Sequence, residues 1–317
     1  MMTYMYAIMF VTVVGSQGNG LAFGSTIQIA VSSSPDSPVD PNLQKLLGIG
    51  VVGLVALAQA HSGGFSVHLS NAIAAYKIIL LMVLSVAGWV VIANLHSSSA
   101  KQAFGNHHGK SNLADAFSGT TTSAYNWGVA LLLIQRAFHG YENANLIIEE
   151  IRRPLSDESK VFRRSAKYAI LILGSLYVMT NVAFFAACTS TELYKTSDVT
   201  ALFFQKVFGP SRHARRWSAI LRAVSALGCV ISHTYTLSRV KQEIGRMGIL
   251  PLPEFWAKST RTGAPGPALF LHFLFSSLFI AVTPLNSTNG YLIMSILSTW
   301  TRTWVAGTLI ESLFLTF

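Results

Sequence analysis

Charged residues are scarce in this chain of 317 residues: Asp, Glu, Lys and Arg together make up 11% of it, whereas hydrophobic residues make up 51%. Soluble domains carry about 25% charged residues, so a soluble core of this size would not need so few. The charges that are present cluster in short stretches between long uncharged ones. This is the pattern of hydrophobic membrane spans joined by polar loops.

Cysteine is also rare, with only Cys188 and Cys229 in the whole sequence. They form no CxxC or metal-ligand spacing, so no disulfide framework is implied and we interpret them as two isolated apolar thiols. No nucleophile–base pair, metal-ligand cluster or phosphate-binding loop stands out in the sequence either. We therefore predict that the protein is not an enzyme and requires no cofactor.

The net charge of +10 raises nucleic-acid binding as an alternative. The basic residues do not form a stripe with interleaved aromatic residues. They lie instead at the ends of apolar runs, where Lys and Arg set the orientation of membrane spans. The predicted environment is a lipid bilayer, and no nucleic-acid partner is expected.

Eight apolar segments are candidates for transmembrane helices, since a bilayer core of ~30 Å requires ~20 residues of helix. The sequence therefore predicts an all-α polytopic membrane protein. The predicted spans are Met5–Ala30, Leu46–Ala60, Ala72–Ala93, Tyr125–Ile148, Tyr168–Ala187, Trp217–Leu237, Pro267–Val282 and Gly290–Phe317.

Basic residues are unevenly distributed among the connections. The segment Glu149–Lys167 carries six Lys or Arg residues, and Arg239–Pro265 carries five, including Lys241. Both are interpreted as loops, and the excess of basic residues on their side of the membrane predicts that they face the cytosol.

Three charged residues fall inside predicted spans: Lys77, Arg136 and Glu142. A charge in hydrocarbon costs several kcal/mol unless it is paired or faces water, so each is a candidate functional residue. For Lys77 there is an alternative of comparable weight, in which the amine extends to the nearby interface.

The segment 135–145 places Arg, His, Glu and two Asn residues around Gly140, in the middle of the fourth predicted span. A regular helix facing lipid cannot hold these groups, whereas a broken helix that lines a cavity can. The alternative is a helix that ends near Arg136. That span would have about eleven residues, too few to cross the membrane, and the broken helix is therefore favoured. The glycines between Gly15 and Gly24 indicate close helix packing.

The same segment carries a family resemblance. Its sequence FHGYENAN at Phe138–Asn145, followed by EEIRRP at Glu149–Pro154, resembles the sixth helix of amino acid–polyamine–organocation transporters, especially fungal L-type amino-acid and methionine permeases. Supporting similarities to the third helix, the fifth helix and the segment after the eighth helix lie at Gly18–Gly24, Ala75–Ile78 and Ser238–Pro251.

The resemblance implies a transporter fold of about twelve helices, of which the first ten form a five-plus-five inverted repeat. The eight predicted spans would correspond to the family's third to tenth helices, within one transmembrane transporter domain at 1–317. Residues 1–94 would hold the last three helices of the first repeat, and residues 125–317 the second repeat. The chain is thus expected to be a truncated member that lacks the broken first helix, which holds the substrate carboxylate in this family.

The resemblance also implies roles for individual residues. Carbonyl groups at the break in the sixth helix receive the substrate amino group, and Glu142 matches a position that faces the pathway. Arg136 departs from the pattern, because relatives have an aromatic residue there. Lys77 matches a lysine whose amine replaces a bound sodium ion in proton-coupled relatives, which predicts a role in proton coupling. The predicted substrate-binding residues are Arg136, Ala137, Phe138, His139, Gly140 and Glu142.

The predicted function is secondary transport of amino acids, neutral or sulfur-containing, across the plasma membrane by alternating access. The alternative is a truncated relative that does not transport, and that acts as a regulatory or interaction partner or has no function.

Overall fold

The computed structural model describes residues 2–32, 39–93, 109–114, 119–138, 140, 155–196, 198–209 and 212–285, with short helical pieces between 294 and 304. Every regular element in these ranges is a helix, which confirms the predicted all-α class. The helices that precede these final pieces are, in chain order, α1 Met2–Val13, α2 Gln17–Val31, α3 Pro41–His61, α4 Gly63–Ile92, α5 Gly109–Ala114, α6 Ala124–Phe138, α7 Leu155–Ala187, α8 Ser190–Lys195, α9 Val199–Phe208, α10 Arg212–Arg246, α11 Pro253–Trp256 and α12 Gly266–Val282.

Several of these helices have the length and composition of membrane spans. Five long apolar stretches lie at Ala7–Val31, Pro41–His61, Ser66–Ile92, Phe162–Ala187 and His213–Arg246. Helix α12 is apolar but has only 17 residues. Leu54 and Leu57 on α3 are 69% and 70% exposed, as is expected where lipid rather than water covers the surface. The prediction of an integral membrane protein is confirmed.

Two of the predicted loops are wrong over part of their length. Residues 155–167 of the predicted loop Glu149–Lys167 belong to α7. Helix α10 runs on to Arg246, well inside the predicted loop Arg239–Pro265. Hydropathy marks only the part of a helix that lies in hydrocarbon, whereas Lys, Arg and Glu are good helix formers that carry the helix onward.

Local sequence signals account for several helix starts. Asp40 accepts a hydrogen bond from the backbone N–H of Asn42 at 2.8 Å, and Pro41 occupies the first turn of α3. Thr189 and Glu192 form a reciprocal capping box at the start of α8. These caps satisfy N–H groups that have no partner within their own helix.

Helix α10 is the centre of the bundle and packs against α2, α3, α4, α9, α11 and α12. One hydrophobic cluster joins α4, α7 and α9, a second joins α2, α3, α10 and α12, and a third joins α1, α10 and α12. Between α2 and α3, Gly20 and Gly48 face each other so closely that a methyl group on Gly48 would lie 3.1 Å from the carbonyl oxygen of Gly20. The predicted packing role of the α2 glycines is therefore observed at Gly20.

Candidate functional site

The C-terminal end of α6 contains three of the six residues that the sequence predicted for substrate binding: Arg136, Ala137 and Phe138. The helix ends at Phe138 with Arg136 in its last turn, and Gly140 follows with φ 116°, a backbone conformation that favours glycine. The last carbonyls of a helix lack intrahelical partners and lie at the negative end of the helix dipole, so they suit an ammonium group. His139 and Glu142 lie outside the described residues, as does the continuation of the predicted broken helix, and these remain predictions.

Phe138 fixes the end of α6 against α7. Its ring meets that of Tyr177 edge to face, with the ring centroids 5.4 Å apart, and it lies beside Gly174. Arg136 is half-buried, whereas Ala137 is exposed. Since Gly174 has no side chain, α7 leaves room there for the Phe138 ring.

Lys77 lies on α4 and its amine is directed at α10. The Nζ atom donates a hydrogen bond to Sγ of Cys229 at 2.9 Å, in a part-buried position. This partner lies on a neighbouring membrane helix. A role in coupling remains a prediction.

A second polar cluster was missed by the sequence analysis. Lys241, assigned there to the loop Arg239–Pro265, is fully buried on α10, so the loop assignment is wrong for this residue. Its amine lies 3.4 Å from Nδ1 of His272 on α12, and Nε2 of His272 lies 2.9 Å from Oγ of Ser16. Ser16 occupies the break between α1 and α2.

Helical spacing is the signal that could have revealed this cluster. Thr234 and Lys241 are seven residues apart on α10, and His272 and Ser276 are four apart on α12. Each pair therefore lies on one face of its helix. Hydropathy missed Lys241 because a single lysine at the end of an apolar run has the same pattern as an interfacial lysine.

The other singled-out polar groups have structural roles. His233, predicted to be a packed and hydrogen-bonded residue, lies 3.3 Å from the side-chain amide of Asn19 on α2. Both cysteines are free, as predicted. In the described ranges, no three His, Cys, Asp or Glu side chains are grouped so that they could hold a metal ion.

Comparison with known proteins gives a consistent result. The family model described as amino acid permease matches residues 1–316. The high-affinity methionine permease of Saccharomyces cerevisiae is 29% identical over 269 residues, which cover 84% of this chain and 44% of the permease. The low-affinity methionine permease of the same yeast is 24% identical, covering 83% of this chain and 46% of that protein.

A mammalian transporter matches at similar coverage. The b(0,+)-type amino acid transporter 1 of Mus musculus is 25% identical over 252 residues, which cover 78% of this chain and 46% of the transporter. The chain therefore spans less than half the length of these relatives. They are permeases and transporters rather than enzymes, which confirms the predicted absence of enzymatic activity.

Proposed function

Because the chain belongs to the amino acid permease family, we propose that it carries out secondary transport of amino acids across the plasma membrane by alternating access. The match over residues 1–316 is the observation that carries this proposal. Neutral or sulfur-containing amino acids are the proposed substrates, since two of the similar proteins are methionine permeases. Rocking of helices around a site near the membrane midplane would expose it to each side in turn.

The proposed substrate site is the end of α6. Carbonyl groups at Arg136, Ala137, Phe138 and His139 would receive the amino group of the substrate, and Gly140 would let the backbone turn away from the helix. The support is that α6 ends at Phe138, with its last carbonyls at the negative end of the helix dipole, and that Gly140 has φ 116°. Glu142 is proposed to face the pathway, where it could neutralise Arg136 or Lys77.

Lys77 is the proposed coupling residue. Its amine contacts Cys229 on α10, so a change in its protonation would alter a contact between two membrane helices. Proton coupling through this lysine is part of the proposal, because an ionisable residue inside a membrane span is a candidate member of a proton pathway.

Uptake of radiolabelled amino acids in permease-deficient yeast tests this proposal. Two versions would be compared: the chain of 317 residues, and the same chain extended upstream by the first two helices of a yeast methionine permease. The Lys77→Met and Lys258→Met variants would then be made in whichever version transports. Methionine uptake above the vector control is expected. Lys77→Met is expected to reduce it at least about tenfold, the effect of losing a required proton carrier.

The controls separate transport from expression. Lys258 is exposed and outside the proposed site, so Lys258→Met should transport as the parent does. Surface labelling of each version shows whether it reaches the plasma membrane. If both versions reach the surface and neither takes up any amino acid in the panel, the transport proposal is wrong.

A non-transporting membrane protein that acts through a partner is the second candidate. One observation favours it: α6 has no buried residue in the described structure. A partner polypeptide could cover α6. Co-purification of the chain with a stoichiometric membrane partner, without uptake by either version, would support this candidate.

A further inference from the structure

A group of buried polar side chains surrounds the break between α1 and α2. It consists of Ser16, Thr234, Lys241, His272 and Ser276, here called the Ser16 cluster. Each of these residues is at most 1% exposed. Two helices, α10 and α12, supply the four side chains that surround Ser16, which lies just before the start of α2.

Hydrogen bonds connect the cluster into a chain. The amine of Lys241 lies 3.4 Å from Nδ1 of His272, and Nε2 of the same ring lies 2.9 Å from Oγ of Ser16 and 3.4 Å from Oγ1 of Thr234. The backbone N–H of Ser16 donates to Oγ of Ser276 at 3.2 Å. The imidazole therefore lies between the amine and the helix break.

This chain has two complete hydrogen-bonding arrangements. An ammonium group only donates, so with Lys241 charged Nδ1 of His272 accepts and the Nε2–H donates to Ser16. With Lys241 neutral, the amine can accept from Nδ1–H, and Nε2 accepts from the hydroxyl of Ser16. The two arrangements differ by one proton, and neither leaves His272 without a partner.

The surroundings limit the cluster to at most one positive charge. No carboxylate lies within ion-pair distance of Lys241 in the part of the chain that the structure describes, and a second charge on the adjacent ring would be strongly unfavourable without water. Other titratable or charged side chains lie on α10 and on the helices packed against α10 and α12. Among the described side chains they are Tyr4 on α1, Lys45 and His61 on α3, His68, Tyr76 and Lys77 on α4, Lys206 on α9, Glu254 on α11, and His213, Arg215, Arg216, Arg222, Cys229, His233, Tyr235, Arg239, Glu243 and Arg246 on α10 itself.

The neighbouring Gln17 offers a further acceptor at the same break. Its amide nitrogen donates to the carbonyl of Val13 at 2.8 Å, whereas its Oε1 is buried and has no hydrogen-bond partner in the described structure. A buried acceptor of this kind suits a water molecule. Such a water would extend the hydrogen-bonded chain beyond Ser16.

We propose that Lys241 and His272 form a proton-binding site that is coupled to the break between α1 and α2. The Lys241 amine takes one proton from a hydronium ion, with formation of an N–H bond and release of water, and returns it in the reverse step. The change of state reverses the donor and acceptor roles along His272 and Ser16. The site is separate from Lys77, and its existence does not depend on the proposed transport.

Thermal unfolding of the purified full chain in detergent micelles, measured from about pH 5 to pH 9, tests the proposal. The variants are Lys241→Met, Lys241→Gln, which keeps a hydrogen-bonding group without charge, His272→Gln and the double variant Lys241→Gln/His272→Gln. The Tm difference between each variant and the wild type is expected to change by roughly 3 °C or more across this range. The pH-dependent effect of the double variant should equal that of Lys241→Gln alone, because the titrating proton is already lost when the Lys241 amine is removed.

Matched controls are Lys258→Met and His61→Gln, which remove an exposed lysine and an exposed histidine. Their Tm curves should run parallel to that of the wild type. Parallel curves for Lys241→Gln and His272→Gln would overturn the proposal, as would additive pH-dependent effects in the double variant. If Lys241→Met does not fold, the Lys241→Gln comparison still decides. Because stability is measured on purified protein, a failed uptake assay leaves this result unaffected.

Discussion

Asp198 holds the start of α9 and an arginine of α10 with its two carboxylate oxygens. Oδ1 accepts a hydrogen bond from the backbone N–H of Ala201 at 3.0 Å, and Oδ2 lies 2.5 Å from Nη2 of Arg222. One side chain therefore caps a short helix and attaches it to the central helix of the bundle. This dual role can be divided by mutation.

Asp198→Asn should keep the cap and lose the ion pair, whereas Asp198→Ala should lose both. We expect the free energy of unfolding to fall by about 1 kcal/mol in Asp198→Asn, which loses a partly exposed ion pair. It should fall by about 2 kcal/mol in Asp198→Ala, which also loses a cap worth about 1 kcal/mol. Denaturant unfolding of the purified chain measures both. Equal losses for the two variants would show that the cap contributes nothing.

The carboxyl group of Glu192 should make the fold sensitive to acid. Burial raises its pKa, but hydrogen bonds from Lys206, at 2.6 Å, and from Thr189 outweigh burial and hold the pKa below its ordinary value. Ionised Glu192 therefore stabilises the fold above the unfolded pKa of about 4.3, and this contribution disappears as the pH falls through the folded pKa.

Glu192→Gln and Lys206→Met should accordingly flatten the decrease in Tm between about pH 5 and pH 3. The matched control is Lys195→Met, because Lys195 is an exposed residue of the same helix. Its Tm should decrease with acid as steeply as that of the wild type. An unchanged acid slope in Glu192→Gln would rule out this carboxylate as the source.

Cys188 should be chemically inert in the folded protein. Burial, followed by the nearby charge of Glu192, raises the pKa of its thiol to about 12. Thiolate is the reactive species and an ordinary thiol has a pKa of about 8.5, so the thiolate fraction of Cys188 at neutral pH should be roughly three-thousandfold lower than in the unfolded chain.

Maleimide labelling in a Cys229→Ser background isolates this thiol, because Cys188 is then the only cysteine in the sequence. We expect labelling at least about a hundredfold slower in the native chain than in denaturant at the same pH. Labelling at the rate of the denatured chain would show that Cys188 is accessible and ionised.

The contact between α2 and α3 should not tolerate a side chain at Gly48. A methyl group there would lie 3.1 Å from both the carbonyl carbon and the oxygen of Gly20, which are backbone atoms and cannot move aside alone. We expect Gly48→Ala to cost about 1–3 kcal/mol through overpacking. Gly50→Ala is the control: nothing lies within 4 Å of that methyl position, and the change should stabilise by about 0.5–1 kcal/mol. Unfolding measurements that place the two variants on the same side of the wild type would contradict this packing.

Much of the architecture was predictable because membrane spans are encoded locally. Apolar runs identified α3, α4, α7 and α10 without any knowledge of their neighbours, and the scarcity of charge identified the bilayer. The ends of those helices were not predictable from hydropathy, since residues 155–167 and 239–246 are helical but polar. Lys77 was singled out because an amine inside an apolar run is unusual in itself.

The sequence by itself determined the membrane environment, the helical class, the family resemblance and the unusual position of Lys77. These properties depend on composition, periodicity and short motifs, which are local. Only the tertiary structure decided that Lys77 meets Cys229, 152 positions away, and that Lys241 meets His272 beside Ser16. The reason is physical: one helix specifies which of its faces is polar, but the partner of that face is decided by how the helices pack together.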